Sequence, residues 1–122
     1  MRKFVLLGLI LLASTASAAP WKTIDNGESI SDGKLTISQL NGHYKIKYPG
    51  SANPRSASLL IDGELVYGNE SYGFSGMHGD GVVKKLLSAR EATVNYDDRY
   101  RTKTDHYGID LDSLRAVIKE LK

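Results

Sequence analysis

The chain has 122 residues, enough for one domain with a modest hydrophobic core. It contains no cysteine, which excludes disulfides, thiol catalysis and cysteine-based zinc sites. Its 16 basic and 14 acidic residues give a net charge of +2, too small an excess to favour general nucleic-acid binding.

Residues 1–18 have the pattern of a cleavable signal peptide. Two basic residues precede a short apolar run at residues 4–12, and small residues ending in A-S-A lead to Ala18. The apolar run is much shorter than the roughly 20 residues that a membrane-spanning helix needs. We expect cleavage after Ala18, or alternatively after Ala19, and export to the periplasm or beyond it. The mature chain then carries balanced charges, because both basic residues of the leader are removed.

Residues 19–33 are polar, and we expect an irregular lead-in to a single domain over residues 34–122. The domain opens with the clearest local signal of the chain. An Asn-Gly dipeptide separates two alternating runs, residues 34–40 and 43–48, which predicts a β-hairpin with a type I′ turn. This register pairs Ile37 with Ile46 and gathers the apolar residues on one face. The opposite face carries His43, Lys45 and Lys47, which we expect in solvent.

A second hairpin is predicted around an Asp-Gly dipeptide that separates residues 56–61 from residues 64–67. Both of its faces are apolar. One face contains Leu59, Ile61 and Val66, and the other contains Leu60, Leu65 and Tyr67. Buried strands that are covered on both sides have this pattern, so we expect the pair in the centre of a sheet.

Residues 68–81 contain five glycines, which disfavour a regular helix or strand, so we expect a long loop. Loops of this length are uncommon unless they are functional or disordered. Large side chains on a loop held by a rigid scaffold commonly serve recognition. The candidate binding residues here are Tyr67, Tyr72, Phe74, Met77 and His78. The alternative is a loop whose aromatic side chains cover the core.

The rest of the chain is predicted to contain a helix over residues 82–90 with Asp80 as its N-cap, strands over residues 92–96 and 101–109, and a closing helix after Asp110. The whole pattern predicts an α+β domain. We expect a mostly antiparallel curved sheet or small β-sandwich with two helices packed on it.

Residues 97–107 alternate in charge, and this turn supplies further candidate binding residues, Arg99, Tyr100 and Arg101. They are suited to an anionic sugar or an acidic partner. The alternative is a solvated hairpin of mixed charge.

Catalysis has only weak support in the sequence. An envelope hydrolase using His78 with Asp80 is the alternative to a binding protein, and it requires those side chains to converge with His106. Asp105 extends this set to a possible metal site, but its spacing matches no zinc framework. The sequence predicts no cofactor.

Residues 58–121 resemble the invasion-associated locus B family of periplasmic proteins. The resemblance lies in the order of L-L-I-D-G, V-V-K-K-L-L-S-A, A-T-V-N-Y and I-D-L-D-S-L-R-A-V-I-K-E-L. It implies a β-rich periplasmic fold without known catalysis, and no site residues follow from it.

These observations favour a small exported binding protein without catalytic activity, and an inhibitor or an immunity-type protein is the kind we expect. The expected partner is another protein, with an envelope glycan as the alternative. Nucleic acid and a membrane-spanning form are not expected. A structural envelope protein without a ligand site is the third hypothesis.

Overall fold

The computed structural model describes residues 18–100 and 103–122, so the expected signal peptide lies almost entirely outside the described residues. Nine strands and two α-helices form in this part of the chain, together with short 3₁₀ turns at Asp25–Gly27 and Ile118–Glu120. The elements are β1 Lys22–Ile24, β2 Ser29–Ser31, β3 Thr36–Leu40, β4 His43–Lys47, β5 Ser58–Ile61, β6 Glu64–Tyr67, β7 Gly73–Phe74, α1 Gly76–Ser88, β8 Ala92–Asp97, β9 Thr104–Gly108 and α2 Leu111–Val117.

The strands form two antiparallel sheets, which confirms the α+β prediction. The first sheet has the order β1-β2-β3-β4-β7 and the second has the order β6-β5-β8-β9. One cluster of buried side chains joins both sheets and both helices. No helix in the described part of the chain has the length and apolar character needed to cross a membrane.

A single apolar row crosses the first sheet and forms much of its core face. Ile30 pairs with Ile37, Ile37 with Ile46, and Ile46 with Phe74. All four side chains are buried. Because side chains alternate along each strand, the neighbouring residues face away from the core, and these include Lys45 and Lys47. The predicted register of the first hairpin is therefore confirmed.

The irregular lead-in predicted for residues 19–33 is wrong, since β1 and β2 form there and extend the first sheet. Each strand has only three residues, and Ile30 is the only buried apolar residue of the two strands. One buried side chain gives no alternating pattern to read. Pairing with β3 rather than local propensity accounts for these strands.

The prediction for residues 68–81 is also wrong in part. Residues 73–74 form β7, and α1 begins at Gly76 rather than after Asp80. Ser75 occupies the N-cap position, and Asp80 lies within the helix. The closing helix is confirmed, and the Asp110 side chain accepts a hydrogen bond from the backbone nitrogen of Ser113 as its N-cap.

Candidate functional site

The turn before β7 positions Tyr72 on the surface beside β4. Backbone hydrogen bonds between Glu70 and Gly73 close this turn in both directions, at 3.0 and 3.2 Å. The carbonyl oxygen of Tyr72 accepts a hydrogen bond from the backbone nitrogen of Tyr48 at 2.8 Å. A side chain at Gly73 would meet the Ile46 carbonyl oxygen at 2.0 Å, so this close approach requires glycine. The backbone of Tyr72 is thus held to the end of β4.

The ring of Tyr72 lies next to a lysine of the first sheet. The Lys45 Nζ atom lies 4.7 Å from the centre of this ring, within the range of a cation–π interaction. Such a contact contributes about 0.5–1 kcal/mol at exposed sites. It orients a half-buried aromatic side chain and places a positive charge beside it.

Arg99 approaches the same region from the turn between β8 and β9. The loop over residues 49–54 is joined to that turn by the hydrogen bond from the Asn53 backbone nitrogen to the Asp97 carbonyl oxygen, at 2.8 Å. Ala52 and Asp98 form an isolated β-bridge next to it. Both sides of the resulting cleft are therefore anchored by backbone contacts.

The cleft between these segments has a volume of about 210 Å³. Tyr72, Ser71 and Arg99 line it together with Lys47, Tyr48 and the loop residues Pro49, Gly50, Ala52 and Pro54. Pockets for drug-sized ligands usually measure about 300–1,000 Å³. This cleft therefore suits one side chain or one small group of a larger ligand.

The charge of the cleft is positive. Arg99 and Lys47 line it, and no acidic side chain does. Within residues 18–100 and 103–122, neither cation takes part in an ion pair. A guanidinium group without a partner is well suited to bind a carboxylate through two hydrogen bonds.

Tyr48 lines the cleft, but its ring packs beside the buried Phe74, with 6.0 Å between the ring centres, and its buried hydroxyl has no hydrogen-bond partner among the described residues. Burial raises the pKa of this phenol above its ordinary value. The hydroxyl stays neutral at physiological pH and can donate a hydrogen bond. Because it is buried, this hydroxyl is not available to a ligand in the cleft.

A second polar contact joins the first hairpin to α1. His43 Nδ1 lies 2.6 Å from Asp80 Oδ2, and the Tyr44 backbone nitrogen donates to Asp80 Oδ1 at 2.8 Å. The hydrogen bond from His43, followed by that from the Tyr44 nitrogen, lowers the pKa of Asp80. The carboxylate therefore binds the start of β4. His43 has a partner, so the prediction that it is simply solvated is wrong.

The hydrolase arrangement predicted around His78 and Asp80 does not form. Two positions apart on a helix, these side chains do not face each other, and Asp80 is engaged by His43. His106 lies on β9 of the other sheet, where it pairs with Asn95 of β8. No cluster of three or more acidic or histidine side chains suited to a metal ion occurs in the described ranges.

The remaining predicted binding residues do not share one surface. Phe74 is only 1% exposed and belongs to the core, so its assignment as a binding residue is wrong. Met77 and His78 are exposed in the first turn of α1, and Tyr67 is 63% exposed on β6. Tyr100 is exposed beside Arg99 in the β8–β9 turn. Arg101 lies outside the described residues.

Sequence reasoning therefore found Tyr72 and Arg99, which the cleft brings together, but missed Lys45 and Lys47. The alternation of these lysines on the polar face of the first hairpin was visible. Their proximity to Tyr72 was not, because it depends on the pairing of β4 with β7. That pairing joins Ile46 to Phe74 and Lys47 to Gly73, which are far apart in the sequence, and it leaves no local pattern.

Comparison of the chain with protein-family models, curated proteins and solved structures finds no match.

Proposed function

We propose that this chain is a small exported binding protein that holds a partner protein at the cleft between Tyr72 and Arg99. The observation that carries the proposal is the convergence of these two residues. Separate parts of the chain supply them, and backbone hydrogen bonds hold both sides of the cleft.

The composition of the cleft favours binding over chemistry. Aromatic and arginine side chains dominate the binding energy of many protein interfaces. Here a half-buried tyrosine, an arginine without an ion pair and a proline-rich wall surround a volume suited to one side chain. An acidic side chain of the partner fits this environment because its carboxylate would neutralise Arg99.

Two features of the sequence support the compartment. Residues 1–18 have the order of a signal peptide, and residues 58–121 resemble a periplasmic family without known catalysis. A binding role of an inhibitor or immunity type in the envelope is consistent with both. An envelope glycan is the alternative ligand.

Site-specific photocrosslinking in cells tests the proposal. The photoreactive residue p-benzoylphenylalanine in place of Tyr72 retains an aromatic side chain at the cleft. We expect one discrete adduct with a protein, which mass spectrometry identifies and which is then reproduced with the two purified proteins. Arg99→Ala should remove this adduct, because the carboxylate of the partner loses its main contact.

The same photoreactive residue at Lys119 is the matched control, since this exposed position follows α2 and does not line the cleft. Equal crosslinking from both positions, or an adduct at residue 72 that survives Arg99→Ala, would show that the cleft is not the binding site.

A further inference from the structure

A row of polar and basic side chains crosses the whole outer face of the first sheet and leads into the cleft. Lys22 pairs with Ser31, Ser31 with Thr36, and Thr36 with Lys47. Lys47 pairs with Gly73, next to Tyr72. These residues lie in register on five adjacent strands, so they form one continuous line across the sheet.

Concave surfaces accompany this row along its length. A cleft of about 290 Å³ is lined by Lys22, Ser31, Asp32 and Gly33 together with the apolar residues Ala19, Pro20 and Ile24. Another of about 340 Å³ is lined by Gly33, Lys34, Thr36 and Lys47 together with residues 48–50. The second cleft also shares Lys47 and Tyr48 with the cleft at Tyr72. The first two clefts have Gly33 in common, and we call the three adjoining clefts together the basic groove.

The basic groove concentrates positive charge without ion pairs. Its cations are Lys22, Lys34, Lys47 and Arg99. The ion pairs of the described residues join His43 to Asp80, Lys85 to Glu64, Lys103 to Asp105, and Arg115 to Asp112. None of them involves a groove cation, although acidic residues are as frequent as basic ones outside the leader.

Asp32 is the one acidic residue that lines the groove, and its carboxyl group is turned inward. Its Oδ1 atom accepts hydrogen bonds from the backbone nitrogens of Lys34 and Leu35, both at 2.9 Å. Burial raises the pKa of Asp32, while the backbone hydrogen bonds from Lys34 and Leu35 and the charge of Lys34 act in the opposite direction. Its Oδ2 atom is buried, so this carboxyl group is not presented to a ligand in the groove.

We propose that the basic groove binds an extended acidic segment of a polypeptide. This inference rests on the proposed function and names the chemistry of the partner. The charges are complementary, and recognition of acidic motifs by clusters of basic residues is a recurring binding mode. The Tyr72–Arg99 cleft then receives one acidic side chain at the end of that segment.

The spacing of the cations matches the repeat of an extended polypeptide. Lys22 and Lys47 lie three strands apart, which corresponds to roughly 14 Å at about 4.8 Å per strand. An extended chain rises about 3.3 Å per residue, so side chains four positions apart lie on one face about 13 Å apart. Acidic residues at positions i and i+4 therefore match the two lysines. Thr36 lies between them and offers a hydroxyl group to the peptide backbone, whereas the Ser31 hydroxyl already donates to the Leu35 carbonyl oxygen at 2.7 Å and accepts from the Gly33 backbone nitrogen at 3.0 Å.

Fluorescence anisotropy with a labelled peptide of about twelve glutamates tests this inference on the chain purified from the envelope. We expect binding that weakens between about 50 and about 300 mM salt, since exposed charges are screened. Lys22→Gln and Lys47→Gln should each weaken binding about two- to fivefold, as expected for exposed ion pairs. The control is Lys84→Gln, which removes the same charge from the exposed side of α1 and should leave binding unchanged.

Equal losses in the Lys84→Gln control would reduce the binding to net charge and overturn the proposal. Binding of dextran sulfate without binding of the glutamate peptide would assign the groove to an anionic glycan and overturn it as well. If the peptide fails to bind but the Tyr72 crosslink remains and depends on Arg99, the proposed function stands and only the acidic segment is wrong.

Discussion

The two central hairpins turn on equivalent dipeptides but end in different environments. Asn41-Gly42 joins β3 to β4, and Asp62-Gly63 joins β5 to β6. All four residues have positive φ, between 48° and 86°, which a type I′ turn requires. Local sequence therefore specifies both hairpins equally well, down to the pairing of individual residues.

Their second strands differ in what covers them. β4 is paired with β7 and packed against α1, whereas β6 is an edge strand of its sheet. Leu65 and Tyr67 on β6 are 54% and 63% exposed, so the prediction of a doubly covered central pair is wrong. Apolar residues on both faces show that a strand can be buried, but they do not show what covers it. That depends on non-local pairing.

Truncation of leucines on the two faces of the second hairpin gives the largest expected effect. Leu59 is fully buried, so Leu59→Ala should lower the free energy of unfolding by about 2–5 kcal/mol through lost burial and a cavity. Leu65 lies on the open face of the neighbouring strand, so Leu65→Ala should change it by less than about 0.5 kcal/mol. Urea denaturation of both variants measures the difference.

A loss of more than about 1.5 kcal/mol in Leu65→Ala would mean that the outer face of β6 is covered, for example by a second copy of the chain. The two hairpins would then not differ in coverage, although β6 would remain the edge strand of its sheet.

Glycine substitutions in α1 address the covered strand. A side chain at Gly79 would meet the Tyr44 carbonyl oxygen at 2.0 Å, while nothing lies within 4 Å of one at Gly81. Gly79→Ala should therefore force the helix away from β4 and lower the free energy of unfolding by about 1–3 kcal/mol. Gly81→Ala, in the same helix, should raise it by up to about 1 kcal/mol because alanine favours helices. Thermal or urea unfolding separates the two, and equal effects would contradict close packing of α1 on β4.

Much of the fold could be predicted from the sequence, because strong local patterns specify it. Turn dipeptides fixed both hairpins, and apolar spacing with Asp110 as N-cap fixed the closing helix. The short strands β1, β2 and β7 could not be predicted. Each depends on pairing with a neighbouring strand and has at most one or two buried side chains.

In the candidate site too, residues with a local signal could be predicted, and residues that strand pairing brings together could not. Tyr72 and Arg99 were identifiable because aromatic and arginine residues near turns commonly serve binding. Phe74, two residues from Tyr72, was assigned to the same role but enters the core as part of the apolar row of the first sheet. The basic groove could not be foreseen, since Lys22, Lys34 and Lys47 come together only through the register of β1 to β4.

The smallest expected effect is on the pH dependence of the free energy of unfolding, when Asp80 is substituted. Because the pKa of Asp80 is lower in the folded state than in the unfolded state, its ionised carboxylate stabilises the fold at pH values above the unfolded pKa of about 3.8. This stabilisation is lost as the pH falls through the lower pKa of the folded state. Asp80→Asn should remove this loss, because the amide carries no charge. The variant should be less stable than the native chain at neutral pH, and the two should converge below pH 3.8. Urea midpoints measured across this pH range test the expectation.

The control is Asp112→Asn, which changes the net charge equally at a side chain that is 99% exposed. Its stability curve should run parallel to that of the native chain, because exposed ion pairs contribute little. If Asp80→Asn also runs parallel at every pH, the bonds from His43 and Tyr44 to Asp80 contribute nothing to the fold. The covering of β4 would then depend on apolar packing and on the close approach at Gly79 alone.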